Sequence, residues 1–145
     1  GGLPMSLVNA VKQRLKAQTS LRMVDGALEL AAALKAPSVA TPAAFVVPMA
    51  DRPGADAAFS GSVLQAVETT LSIVLVLDNK RDSTGSAAND ELERLRGEIR
   101  KALLGWAPDG VDSPLTAGRG QLIDLDNGRV WWGDEFHIEH YWSSK

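Results

Sequence analysis

"QLIDLDNGRVWWGDEFHIEHYW", residues 121–142, holds an Asn-Gly pair between two apolar runs. Both central positions of a two-residue hairpin turn need positive φ, which this pair accepts readily, so Asn127 and Gly128 predict a hairpin and fix its register. Asp126 then faces Arg129, Leu125 faces Val130, Asp124 faces Trp131 and Ile123 faces Trp132. Alternation gathers Ile123, Leu125, Val130, Trp132, Phe136, Ile138 and Trp142 on one face, which reads as core. The other face collects Asp124, Asp126, Arg129, Trp131, Glu135, His137 and Glu139, a polar surface with one large aromatic. Trp131 needs cover there, from another segment of the chain or from another subunit. Gly133 is a candidate bulge, and a bulge would exchange the faces beyond it.

Working outward, Val63 to Leu77 is rich in β-branched and leucine residues, and its "LSIVLVL" (71–77) predicts a central strand covered on both faces. "AAFVVPM" (43–49) predicts a short strand that is an edge or ends near Pro48, which has no ladder donor. "ADRPGADAAFSGS" (50–62) and "DNKRDSTGSAAND" (78–90) read as long polar loops. Leu7, Val8, Val11 and Leu15 mark an amphipathic helix over 6–17, "LRMV" (21–24) a short strand, and "ALELAAALKA" (27–36) a helix ended by Pro37. A further helix of about 15 residues carries Leu92, Leu95, Ile99, Ala102, Leu103 and Trp106 as one stripe. Gly105, Pro108 and Gly110 stop it, and Asp90, Arg94, Glu98 and Lys101 lace its outer face with ion pairs. The elements add up to an α/β (α+β) fold. It has a mixed, largely antiparallel sheet of about four to five strands, two or three flanking helices and a C-terminal β-hairpin.

The 145 residues, 45% of them hydrophobic, suit one domain from residue 5 onward, with "GGLP" (1–4) a cloning remnant. A net charge of -3 without a Lys/Arg cluster argues against a protein built to grip phosphates. The absence of cysteine excludes disulfides and thiolate chemistry and fits a reducing cytoplasm. The longest apolar run is far short of the roughly 20 residues of a membrane helix. His137 and His140 point to opposite faces of a strand, so they do not share a metal. Glu135, His137 and Glu139 share a face, and with Asp124 they offer the alternative of a small enzyme or a metal- or ligand-binding domain. "DLDNG" (124–128) resembles a calcium loop until Arg129 takes the position that needs glycine, and "AGRGQL" (117–122) lacks the helix of a phosphate cradle. No Gly-x-Ser-x-Gly elbow is present and no cofactor is indicated. The residues alone point to an α/β domain with a protein interface.

The order of four pieces goes further. "AAFVVP" (43–48), "QAVETTLSIVLVLDN" (65–79), "LERLRGEIRKALLGWAPDG" (92–110) and the final hairpin resemble the tail terminator proteins of long-tailed bacteriophages and their prophage relatives. The resemblance implies a ring, usually a hexamer, on the head-proximal end of the tail tube, ending tube growth and offering the surface that the filled head joins. Its implied partners are other copies of the chain, the tail tube protein and a head-tail connector or neck protein. DNA passes through without specific binding, and no membrane or cofactor takes part. Its implied places are the host bacterial cytoplasm during assembly and then the virion tail. A head-to-tail ring needs two different patches on each subunit. The two polar loops and the polar hairpin face supply the candidates Arg52, Asp56, Lys80, Arg81, Asp82, Arg129, Trp131, Glu135, His137 and Glu139. Trp106 is expected to anchor the helix exit so that the loop after it is held in place.

Overall fold

The computed structural model describes residues 6–57, 61–78, 86–126 and 128–144. Helix α1 (Leu7–Gln18) begins where Ser6 Oγ accepts the Asn9 N–H, satisfying one of the free donors of the first turn. Strand β1 (Met23–Gly26) leads into α2 (Ala27–Lys35), and the Gly26 N–H donates to Glu29 Oε2 at the joint. Strand β2 (Ala43–Asp56) runs parallel to β1, so α2 is the crossover that such a pair requires. Strand β3 (Leu64–Asp78), helix α3 (Ser86–Leu103), strand β4 (Thr116–Asp126) and strand β5 (Arg129–Ser143) follow. The sheet order is β1-β2-β3-β5-β4, with every pairing after the first antiparallel. This is the mixed sheet with a terminal hairpin that the sequence predicts.

The central strand is apolar on both sides because both sides are covered. Leu71, Ile73, Leu75 and Leu77 join Val11 and Leu15 of α1 and Leu95, Ile99 and Leu103 of α3 in the main core. Val74 and Val76 face the other way and pack with Ala33 of α2, Phe45 and Trp131. Continuous burial of this kind replaces the alternation of a half-solvated strand.

Two local expectations are corrected. Residues 50–56 are strand rather than loop: β2 stays paired with β3 through Asp56, and its polarity reflects solvent on its faces. Register shifts between Pro48 and Ala50 and between Pro53 and Asp56 absorb Met49, Gly54 and Ala55, which is how a stretch rich in Pro and Gly remains in a ladder. β1 ends opposite Val46, so Pro48 stands where β2 has become an outer strand. In the hairpin the predicted register holds as far as Asp124↔Trp131, but Leu122 rather than Ile123 pairs with Trp132. The bulge is in β4, not at Gly133, and it sends Ile123 across Gly133, where an added Cβ would lie 3.0 Å from Ile123 Cδ1. Ile123, Leu125 and Trp142, expected in the core, are exposed.

α3 is longer than expected, and Trp106 lies beyond its end. Gly105, at φ +81°, donates to the Leu115 carbonyl, and the Leu115 N–H donates to the Trp106 carbonyl. Trp106 packs on the main core with the Arg14 guanidinium 5.2 Å from its ring centroid. Pro108 is buried, and the Val111 N–H closes a turn onto its carbonyl around Gly110 at φ +84°. The loop after α3 is therefore clamped at both ends. Outside, Arg94 pairs with Glu91 and Glu98, and Arg96 with Glu93, in place of the expected Asp90 and Lys101 contacts.

Glu98 also ties α3 to the start of β1: the Ser20 amide donates to Glu98 Oε1 at 2.7 Å. This backbone hydrogen bond, followed by the Ser20 hydroxyl and Arg94, holds the Glu98 carboxyl below its ordinary value of 4.5. A carboxylate with a depressed folded pKa stabilises above its unfolded pKa and loses that contribution as pH falls through the folded one. Below about pH 4.5 the wild type should lose a small increment of stability that Glu98→Gln lacks. Urea midpoints measured across that range check it, and parallel curves for the two proteins would refute it.

Candidate functional site

Past the reach of β1 the sheet continues as β2, β3 and β5, and two side-chain sets stand on its faces. On the α2 side, Arg52, Glu68 and Glu139 lie in one cross-strand row, with Thr70 and His137 in the next. His137 Nδ1 is 2.9 Å from Thr70 Oγ1 and 3.9 Å from Glu68 Oε1. Together with Thr116, Glu68, His137 and Glu139 line a shallow pocket of about 270 Å³. Gly118 of β4 leaves room for the imidazole, since any Cβ there would run into it. The structure thus brings Arg52, His137, Glu139 and Glu135 onto one exposed face. Asp56 stands at its far tip, where its Oδ1 accepts the Leu64 N–H at 2.9 Å.

Other expected residues are placed differently. Arg129 and Trp131 are on the same side of the sheet but are not surface: Trp131 is 2% exposed in the cluster beneath α2, and Arg129 is 5% exposed. Of the two explanations for Trp131, cover by another segment of its own chain is the one found. The Arg129 guanidinium lies 5.3 Å from the Trp131 ring centroid, with Nε and Nη1 lacking hydrogen-bond partners among the described residues. The cation–π contact offsets part of its desolvation. Asp124 pairs with Trp131, six residues along β5 from His137 and so roughly 20 Å away at strand spacing. The carboxylate and histidine set of the ligand-binding alternative is not assembled, and no group of three His, Asp or Glu among the described residues is placed to hold a metal. Lys80, Arg81, Asp82 and Asn127 lie outside the described residues, while Gly128 has the positive φ, +73°, that its turn requires.

Sequence reasoning missed a polar chain on the opposite face. The Thr69 hydroxyl lies 2.6 Å from Asp51 Oδ1 and 2.7 Å from His140 Nε2. The hydroxyl has one proton and the carboxylate can only accept it, so His140 donates from Nε2. The reading of residues 50–62 as loop concealed this, because Asp51 meets Thr69 only through strand pairing. The glycines of "AGRGQL" also have a structural reason. At Gly120 a Cβ would collide with Asp134 Oδ1 and come within 3.0 Å of Arg96 Nη2. That absence of a side chain lets Asp134 accept from Arg96 Nε at 3.0 Å, Arg96 Nη2 at 3.1 Å and Trp132 Nε1 at 3.0 Å. The hydrogen bond to Asp134 raises the Arg96 pKa further above its ordinary value, so the guanidinium side of this clamp between α3 and β5 keeps its charge at any working pH.

Among the described residues no helix is long and apolar enough to cross a membrane. The described surface combines polar strands beyond the helices with exposed apolar residues on β4 and α2. The family model described as "Phage tail terminator protein" matches residues 5–144. Among solved structures, a chain from the virion of a native gene transfer agent particle is 17% identical, with a TM-score of 0.53. The alignment covers 92% of this chain and 93% of that one. No curated protein matches the chain.

Proposed function

This chain belongs to the phage tail terminator protein family, and from that premise we propose that it caps the head-proximal end of a phage tail tube. Copies join head to tail in a ring, a hexamer, which stops the addition of tube subunits and presents the surface that a connector or neck protein of the filled head meets. Assembly takes place in the host bacterial cytoplasm, and the protein ends in the virion tail. No bond is made or broken. The observation that carries this reading is the extent of the family match, which takes in every element of the sheet.

The geometry is suited to such a role. A head-to-tail contact uses two different patches, and closure depends on the rotation between neighbours. The strand extension bearing Arg52, Asp56, Glu135, His137 and Glu139 is one contact, to the tube or to a neighbouring copy, and Lys80, Arg81 and Asp82 extend the candidates. The net charge of -3 suits a channel along which DNA slides without being held.

The test is tail length by electron microscopy after deletion of the gene from its phage or prophage. Overlong or headless tubes, rescued by supplying the protein, are the expected result. Normal infectious particles would refute the proposal.

A further inference from the structure

Helix α2 is the most apolar helix of the chain, yet of its nine residues only Ala33 is buried. Leu30 and Ala33 turn toward the sheet and pack beside Phe45 and Trp131. Leu28, Ala31, Ala32 and Lys35 recur at the spacing of one helical stripe and are all exposed, Leu28 to 85%. An apolar helix face in water is the signature of a surface that another element covers. The two alanines of the stripe let that element come close.

A matching concavity lies on the same side of the sheet. Between α2 and the bulged part of β4 runs a groove of about 240 Å³, walled by Leu30, Val47, Met49, Val74 and Ile123 and floored by Gly133. Met49 stands at a register shift of β2 and Ile123 at one of β4, so two irregularities of the sheet turn apolar side chains toward it. Among the described residues the only charge on its lining is Glu135, and the only charge on the stripe is Lys35. Among the described residues neither has an ion pair or side-chain hydrogen bond.

We propose that α2 of one copy docks through this stripe into the groove of the next, with Leu28 in the groove and Lys35 against Glu135. The inference rests on the ring reading above and names its subunit contact. Stripe and groove are different patches, so the contact is heterologous and propagates from copy to copy. A symmetric pairing of stripe on stripe would leave both the groove and Glu135 unmet.

The chain has no cysteine, so a designed pair reports the contact directly. Under mild oxidation Leu28→Cys combined with Met49→Cys should give a ladder of disulfide-linked species beyond the dimer, while each single variant stays one chain. Leu28→Asp should weaken self-association about tenfold or more with unchanged thermal melting, because the residue is outside the core. Lys35→Glu and Glu135→Lys should each weaken it less and recover it together. A dimer from Leu28→Cys alone would mean symmetric stripe pairing and would overturn the proposal. Undiminished association of Leu28→Asp, with no ladder from the pair, would place the contact elsewhere and leave the ring reading standing. Normal association of Leu28→Asp with failure to cap tubes would assign the stripe to the tube protein instead. Copies that associate neither alone nor on isolated tail tubes would overturn both readings.

Discussion

Trp131→Ala is expected to cost about 3–5 kcal/mol of folding stability in the single chain. The indole fills the space beneath α2 against Ala33, Phe45, Val74 and Val76, and it is also the face on which the buried Arg129 guanidinium lies. Truncation leaves a cavity between helix and sheet and removes the ring under a guanidinium whose Nε and Nη1 have no hydrogen-bond partner among the described residues. Against a typical total of about 5–15 kcal/mol, such a loss lowers the urea midpoint and the melting temperature together. A variant that keeps both but no longer associates would return Trp131 to an interface.

That residue shows how far the sequence reaches. The Asn-Gly turn placed Trp131 on the correct side of β5, and the register from Asp126 to Asp124 follows from it. What no periodicity reveals is that α2 lies over that side at this end of the strand and leaves it bare at Glu135 and beyond. The same strand face is core at Trp131 and solvated at Glu139, because cover is a property of the tertiary arrangement. Bulges are hidden for a similar reason. Ile123 and Met49 leave their expected positions where two strands of unequal demand must stay paired, and neither residue type signals this locally. The candidate surface was legible where it lies on β5, as for His137 and Glu139. It was misread where Pro53 and Gly54 suggested a loop. The composition of α2 was in plain view, since a helix with only Glu29 and Lys35 among its nine residues charged asks for cover on more than one side.

The second large effect is expected at the clamp between α3 and β5. Asp134→Ala should cost about 3 kcal/mol, since it strands Nε and Nη2 of Arg96, whose Nη1 keeps Glu93, and the Trp132 indole N–H in a half-buried site. Gly120→Ala should act through the same carboxylate: the new methyl takes the space of Asp134 Oδ1 and forces it away from its donors, for a cost of about 2 kcal/mol. The decisive measurement is the double variant. If Gly120 serves only to admit the carboxylate, adding Gly120→Ala to Asp134→Ala should cost almost nothing further. Simple additivity within about 0.5 kcal/mol would instead mean that the methyl strains the backbone of β4 and that the clamp explanation of this glycine is wrong.

The strand order carries a consequence for how the protein is made. β3 takes β2, synthesised just before it, as one neighbour and β5, with Leu64 opposite Ser143, as the other. During translation, at about 5–20 residues per second, the nascent chain holds an open half-sheet with one flank of its most apolar strand bare. It cannot complete the fold until β5 has left the ribosome. The far wall and the floor of the groove beside α2 also wait for that moment, because Ile123 and Gly133 are set in place only when the hairpin docks. A partly translated chain therefore offers no finished surface to a partner, and its competence to assemble begins with the arrival of β5.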